Sequence, residues 1–190
     1  IVVDPTKTAT GLDNRKLGMW LFLVTELMLF SGLIGGMLQM KARSPETAND
    51  VLNIPITAIN TFVLIVSSTT VVLALQAIMN GDKRKMRLYL IATLALGATF
   101  LGVQIFEYYN LIVHEGFTPS GSLFGGGFFM VTGFHGFHVL IGLLWCLGLI
   151  RQAFQDKFSA TNYMRIEIFG LYWHYVDIVW IILFTIIYLI

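Results

Sequence analysis

Residues 172–190 read YWHYVDIVWIILFTIIYLI. The stretch has the length and apolarity of a membrane-crossing helix, which needs about 20 residues. It nevertheless contains His174 and Asp177, three positions apart and flanked by Trp173 and Trp180. On a helix, positions i and i+3 share a face, so both polar groups point the same way. That face cannot be left against hydrocarbon. It either carries function or locks this helix to its neighbours.

Working outward, the whole chain has the same character. Apolar runs occupy 17–40, 56–79, 88–113, 123–150 and 164–190, each near or above the length that spans a bilayer. Helix breakers separate them: Ser44-Pro45 and Pro55, then Asn80-Gly81, then Gly116 with Pro119-Ser120-Gly121. With 56% hydrophobic and 12% charged residues, and a mean hydropathy of +0.76, the chain has about half the charge of an average soluble domain. The expected fold is all-α, a polytopic transmembrane bundle of five helices. A polar arm at 1–16 precedes a single membrane domain at 17–190. No charged n-region followed by a short apolar h-region is legible before the first run. The twelve Lys and Arg lie in short clusters and the net charge is +1, which argues against nucleic acid as a partner. Cys146 is the one cysteine, inside an apolar run, and reads as a small packing residue.

The basic residues set an orientation. With the amino terminus in the cytoplasm, Lys7, Arg15, Lys16, Lys83, Arg84, Lys85, Arg87, Arg151, Lys157 and Arg165 all fall inside, and only Lys41 and Arg43 outside. Ten against two is the asymmetry of the positive-inside rule, and five spans then leave the carboxyl terminus outside. An odd number of spans without internal repeats is unlike an inverted-repeat transporter.

Several polar residues lie inside the runs. Glu26 is ten positions past Lys16, about 15 Å along a helix and near mid-membrane. A lone carboxylate there costs at least ~2.5–3.5 kcal/mol, so Glu26 is protonated, hydrogen-bonded or paired, and reads either as an interhelical bond or as a proton- or lipid-linked site. Gln104 and Glu107 share a face near the outer end of the third run; Gln104 or His114 would serve as partner for Glu107, and Tyr108 and Tyr109 suit an interfacial belt. His135 and His138, three apart, admit metal or haem ligation, but no second pair stands elsewhere, and interhelical hydrogen bonding is the better reading. Glu167 opens the last run. By depth, His174 and Asp177 fall level with Glu26 and the two histidines, so a shared polar layer is allowed. Glycines recur at 32, 35 and 36 and through 125–148, which reads as close helix packing within the bundle or against another subunit.

The stretches TGFHGFHV (132–139) and YWHYVDIVWIILFTIIY (172–188) resemble subunit III of the haem-copper oxidases. So do MWLFLVTELMLFSG (19–32), QIFEYYNLI (104–112) and the seven-residue step from Glu167 to His174. The order of these motifs is preserved over the whole membrane part, and the chain is similar to the short, five-helix form.

The resemblance implies a non-redox accessory subunit of a proton-pumping aa3-type cytochrome c oxidase in a prokaryotic plasma membrane. Haem and copper belong to partner subunits I and II, and neither a catalytic nor a metal-ligating residue is expected on this chain. Direct packing on subunit I, support of sustained turnover and proton uptake, and bound phospholipid are further implications. In the seven-helix form, lipid lies in a cleft between the first two helices and the other five; here another subunit's helices would have to complete it. The family's mid-membrane carboxylate, reactive towards a carbodiimide, falls on Glu26; its histidines fall on His135, His138 and His174, and its other carboxylates on Glu107, Glu167 and Asp177. Glu26, Glu107 and Asp177 are thus the buried polar or proton-linked candidates, and His135, His138, Glu167 and His174 the structural hydrogen-bonding ones. Quinol oxidase members look similar, but some carry Asp where this chain has Glu26, which favours the cytochrome c branch. A cytochrome-b-like haem carrier and a stand-alone proton or solute transporter are the competing readings from other classes. On this view Trp173, His174, Asp177 and Trp180 form the hydrogen-bonded seam of the last helix, and proton traffic belongs near Glu26.

Overall fold

The computed structural model describes residues 13–44, 52 and 54–189. Lys7 and Pro45, and all of the expected arm except its last four residues, lie outside them. The carboxylate of Asp13 accepts from the Arg15 backbone N–H at 2.8 Å and starts α1 (Asn14–Ala42). Helix α2 (Ile54–Met79) carries Pro55 in its first turn, where the missing N–H costs nothing. Gly81 closes it at φ 79°, its N–H donating to Ile78 O while that of Asp82 donates to Ala77 O. Asp82 then caps α3 (Lys83–Val113), and Ser122 caps α4 (Leu123–Phe154). Helix α5 (Met164–Phe184) runs on into a π-helical turn, Thr185–Leu189.

Among the described residues, five helices are long and apolar enough to cross a membrane, as the sequence predicts. Their ends differ from the expected ones. Asn14, Arg15 and Lys16 are helical rather than part of a loose arm, α3 begins at Lys83 rather than 88, and α4 reaches Phe154 rather than 150. Apolarity marks where the membrane ends, whereas caps and the good helix propensity of Lys and Arg decide where the helix ends.

Helix α1 packs against α4 and α5, α2 against α3 and α5, and α4 against α3 and α5. Lys16 pairs with Glu167 at one end of α1 and α5, and Lys41 Nζ donates to Ile186 O at the other, 3.2 Å away. The first and last helices therefore run parallel. Both ion pairs of Asp156, with Lys83 and Arg87, lie at the Lys16 end. Lys16, Lys83 and Arg87 thus share one end of the bundle with their acidic partners.

Apolar surface gains little by leaving lipid for another helix, so close packing and interhelical hydrogen bonds hold such a bundle. Trp173 shows both. Its ring fills a notch where a Cβ on Gly97 of α3 would come within 2.8 Å and one on Gly142 of α4 within 2.5 Å. Its indole N–H donates to Ser67 Oγ of α2 at 3.0 Å. One side chain of α5 thereby touches three other helices.

The glycines of α1 behave differently. A Cβ on Gly32, Gly35 or Gly36 would meet nothing within 4 Å, while Leu23, Phe30 and Met37, seven apart, make the buried seam. Among the described residues, the Gly32/Gly36 pair packs on no other helix.

Candidate functional site

The polar residues divide into separate clusters. The first joins α1 to α4. Glu26 Oε2 stands 3.1 Å from His138 Nε2, with the two side chains only 15% and 10% exposed. His138 Nδ1 is 2.7 Å from the Phe134 carbonyl, which can only accept, so Nδ1 carries a proton and donates there. One further proton then bridges Nε2 and Oε2. Either the carboxylic acid of Glu26 donates to a neutral imidazole, or an imidazolium donates to a carboxylate. Both arrangements are neutral overall, which satisfies a buried carboxyl group without isolating a charge. Phe30 packs edge-on to His138, and Tyr172 of α5 donates to the His138 carbonyl at 2.9 Å.

The second cluster joins α5 to α2 and contains the residues of the opening stretch. Trp173 donates to Ser67, Trp180 Nε1–H donates to Thr61 Oγ1 at 2.9 Å, and His174 Nδ1 lies 3.1 Å from Ser68 Oγ. Asp177 is close to the same serine hydroxyl, and its buried Oδ1 has no hydrogen-bond partner among the described residues. The shared layer with Glu26 is thus not one network. Residues 173 and 180 are a near-integral two turns apart and face α2, while Tyr172, one position back, faces α4. The hydroxyls of Thr61, Ser67 and Ser68 are partners that the reading of the sequence passed over. For the two serines the signal is the run Ser67-Ser68-Thr69-Thr70 inside an apolar span, small polar residues of the kind that bond across helices.

Glu107 differs from expectation. Its Oε1 accepts from Thr57 Oγ1 at 3.0 Å and from the Tyr188 hydroxyl at 3.3 Å, rather than from Gln104 or His114. Gln104 Nε2 instead donates to Thr132 O at 3.1 Å. Tyr108 is not an interfacial anchor: its hydroxyl is 2.6 Å from Thr132 Oγ1, between α3 and α4, whereas Tyr109 is exposed.

His135 also departs from its expected role. It is fully buried, stacked on Trp180 with ring centroids 4.8 Å apart and edge-on to Phe100. Neither ring nitrogen has a hydrogen-bond partner among the described residues. The next helix faces at that level are aromatic, so packing holds this imidazole. His135, His138 and His174 therefore meet Trp180, Glu26 and Ser68 respectively, on three different helices. Glu167 forms its ion pair with Lys16 and ties the starts of α5 and α1 together.

The sequence matches the cytochrome c oxidase subunit III family over residues 4–190. The chain belongs to that family. Among similar subunits III, "Cytochrome c oxidase subunit 3" of Bacillus sp. (strain PS3) is 38% identical over 178 residues, covering 93% of this chain and 86% of the relative. "Cytochrome bo(3) ubiquinol oxidase subunit 3" of Pseudomonas aeruginosa is likewise 38% identical over 178 residues, 93% of this chain and 85% of the relative. "Quinol oxidase subunit 3" of Bacillus subtilis (strain 168) is 37% identical over 185 residues, 96% and 90% of the two chains. Subunit III relatives with either electron donor in their names are thus equally similar to this chain. As a subunit III family member, the chain is a multi-pass membrane component of a haem-copper terminal oxidase.

Proposed function

We propose that this chain is the non-redox accessory subunit III of a proton-pumping aa3-type cytochrome c oxidase in a prokaryotic plasma membrane. Its amino terminus faces the cytoplasm and its carboxyl terminus the outside. The observation that carries this reading is the Glu26–His138 pair, a carboxyl group hydrogen-bonded to an imidazole between α1 and α4, on the residue that resembles the family's carbodiimide-reactive carboxylate. Glu26 sits on α1, whose remaining surface, with Trp20, Leu21, Met28 and the outward Gly32 and Gly36, is left free for subunit I and for lipid. Haem and copper reside in subunits I and II. This chain supports proton uptake and sustained turnover, and Glu107 and Asp177 hold helices together rather than carry protons. In the assembled oxidase, Glu26→Ala should leave the absorption spectrum of the metal centres unchanged while activity decays over fewer turnovers. An altered haem spectrum, with normal turnover stability, would contradict this.

A quinol oxidase is the second reading, supported by the equal similarity to quinol-branch relatives. Glu26, where some members of that branch resemble one another in carrying Asp, favours cytochrome c. Oxygen consumption by the purified complex with reduced cytochrome c or with ubiquinol as donor separates the two.

A further inference from the structure

We propose that the start of α3 and the end of α4 form a site for one anionic phospholipid, its phosphate held by Arg84, Lys85 and Arg87 and an acyl chain laid along Leu88, Ile91 and Phe154. A recess of about 670 Å³ opens there, lined by these six residues and Asp82. Around it the four cations Lys83, Arg84, Lys85 and Arg87 face the two carboxylates Asp82 and Asp156, an excess of two positive charges. The pairing is uneven. Asp156 engages Lys83 and Arg87, Asp82 engages Lys85, and Arg84 has no ion pair among the described residues.

Arg87 is held before any ligand arrives. Its Nε donates to Ala153 O at 3.0 Å, one terminal nitrogen donates to Asp156 at 2.9 Å, and its guanidinium lies 5.2 Å from the centre of the Phe154 ring. A guanidinium has five N–H donors, so others remain for a phosphate oxygen. Below the cations the lining changes character. Leu88, Ile91 and Phe154 are 62%, 42% and 59% exposed, and Leu88 to Ile91 is one turn deeper into the apolar part of α3. Cations at the helix end with an apolar strip one turn below reproduce the order of a phospholipid, headgroup outermost and chain beneath. An inorganic phosphate would use only the upper half, and an apolar partner helix only the lower.

The site rests on the bundle's lying in a membrane and not on the choice of electron donor. It is tested on the purified oxidase complex, stripped of lipid by detergent washing and titrated with dioleoylphosphatidylglycerol or dioleoylphosphatidylcholine. Native mass spectrometry then counts the lipid that leaves with this subunit. One phosphatidylglycerol should bind tightly, and Arg84→Gln/Lys85→Gln should weaken it about thirtyfold, at roughly a factor of five per cation. The charge-keeping Arg84→Lys/Lys85→Arg variant should retain it. Equal binding of phosphatidylcholine, unchanged retention in the Gln variant, or displacement by millimolar inorganic phosphate would each overturn the proposal.

Discussion

Glu26 and His138 face each other across the α1–α4 seam with one proton between Oε2 and Nε2, because the Phe134 carbonyl fixes the other imidazole proton on Nδ1. Helix α1 buries only a narrow seam, and this bond joins Lys16–Glu167 and Lys41–Ile186 among the polar contacts that tie it to the bundle. A double-mutant cycle with Glu26→Ala and His138→Ala, read from unfolding in detergent, should give a coupling of about 1 kcal/mol. Strict additivity would mean that the contact holds nothing.

The same pair predicts a spectroscopic signature. Infrared difference spectra on carbodiimide modification of Glu26 should lose one carboxyl or carboxylate band, together with a shift in the imidazole modes of His138. Loss of the carboxyl band with imidazole modes unmoved would show that the two groups do not share a proton.

The Trp173 notch leaves no room for a methyl group. Gly142→Ala and Gly97→Ala place a Cβ within 2.5 Å and 2.8 Å of their nearest neighbours, both notches being lined by the Trp173 ring, so each should cost about 1–3 kcal/mol. Gly35→Ala on α1 meets nothing and should leave the isolated chain unchanged. Thermal unfolding of the three variants separates these outcomes, and equal behaviour would refute the packing described.

Trp180→Phe keeps most of the ring stacked on His135 but removes the N–H that reaches Thr61. The expected cost is about 1 kcal/mol, that of one interhelical hydrogen bond in a membrane. Thr61→Val should cost the same and add nothing when combined with Trp180→Phe. Additive losses would show that the bond contributes no coupling.

Outside the membrane, Asp156 takes a left-handed φ of 54° at the end of α4 and binds Lys83 and Arg87. The hydrogen bond and charge of Lys83, with Arg87 beside it, hold its carboxyl below the ordinary 3.8. The folded state therefore binds this proton more weakly than the unfolded chain. The stabilisation is present above the unfolded pKa and is lost as pH falls through the folded one. Asp156→Asn, which tolerates the same backbone conformation, should remove this acid-limb dependence below about pH 4 and leave the neutral-pH fold intact. An unchanged acid limb would contradict the tether.

Five spans were legible because the bilayer dictates how long an apolar helix must be. Partners were not. Glu107 bonds Tyr188, eighty-one positions away, and Thr57 on another helix, and no local spacing reports which helices become neighbours. His174 and Asp177 were correctly placed on one face, yet the serines of α2 that face them depend on how α2 and α5 pack. His135 and His138 share a spacing that admits a common ligand, whereas packing sends one between aromatic rings and the other to Glu26.

The most direct measurement is the haem and copper content, with the optical spectrum, of this polypeptide purified alone and of the oxidase with and without it. The polypeptide alone should carry neither haem nor copper, and the oxidase lacking it should keep its metal-centre spectrum while losing activity over repeated turnovers. A Soret band travelling with the isolated chain and abolished by His138→Ala would contradict the account.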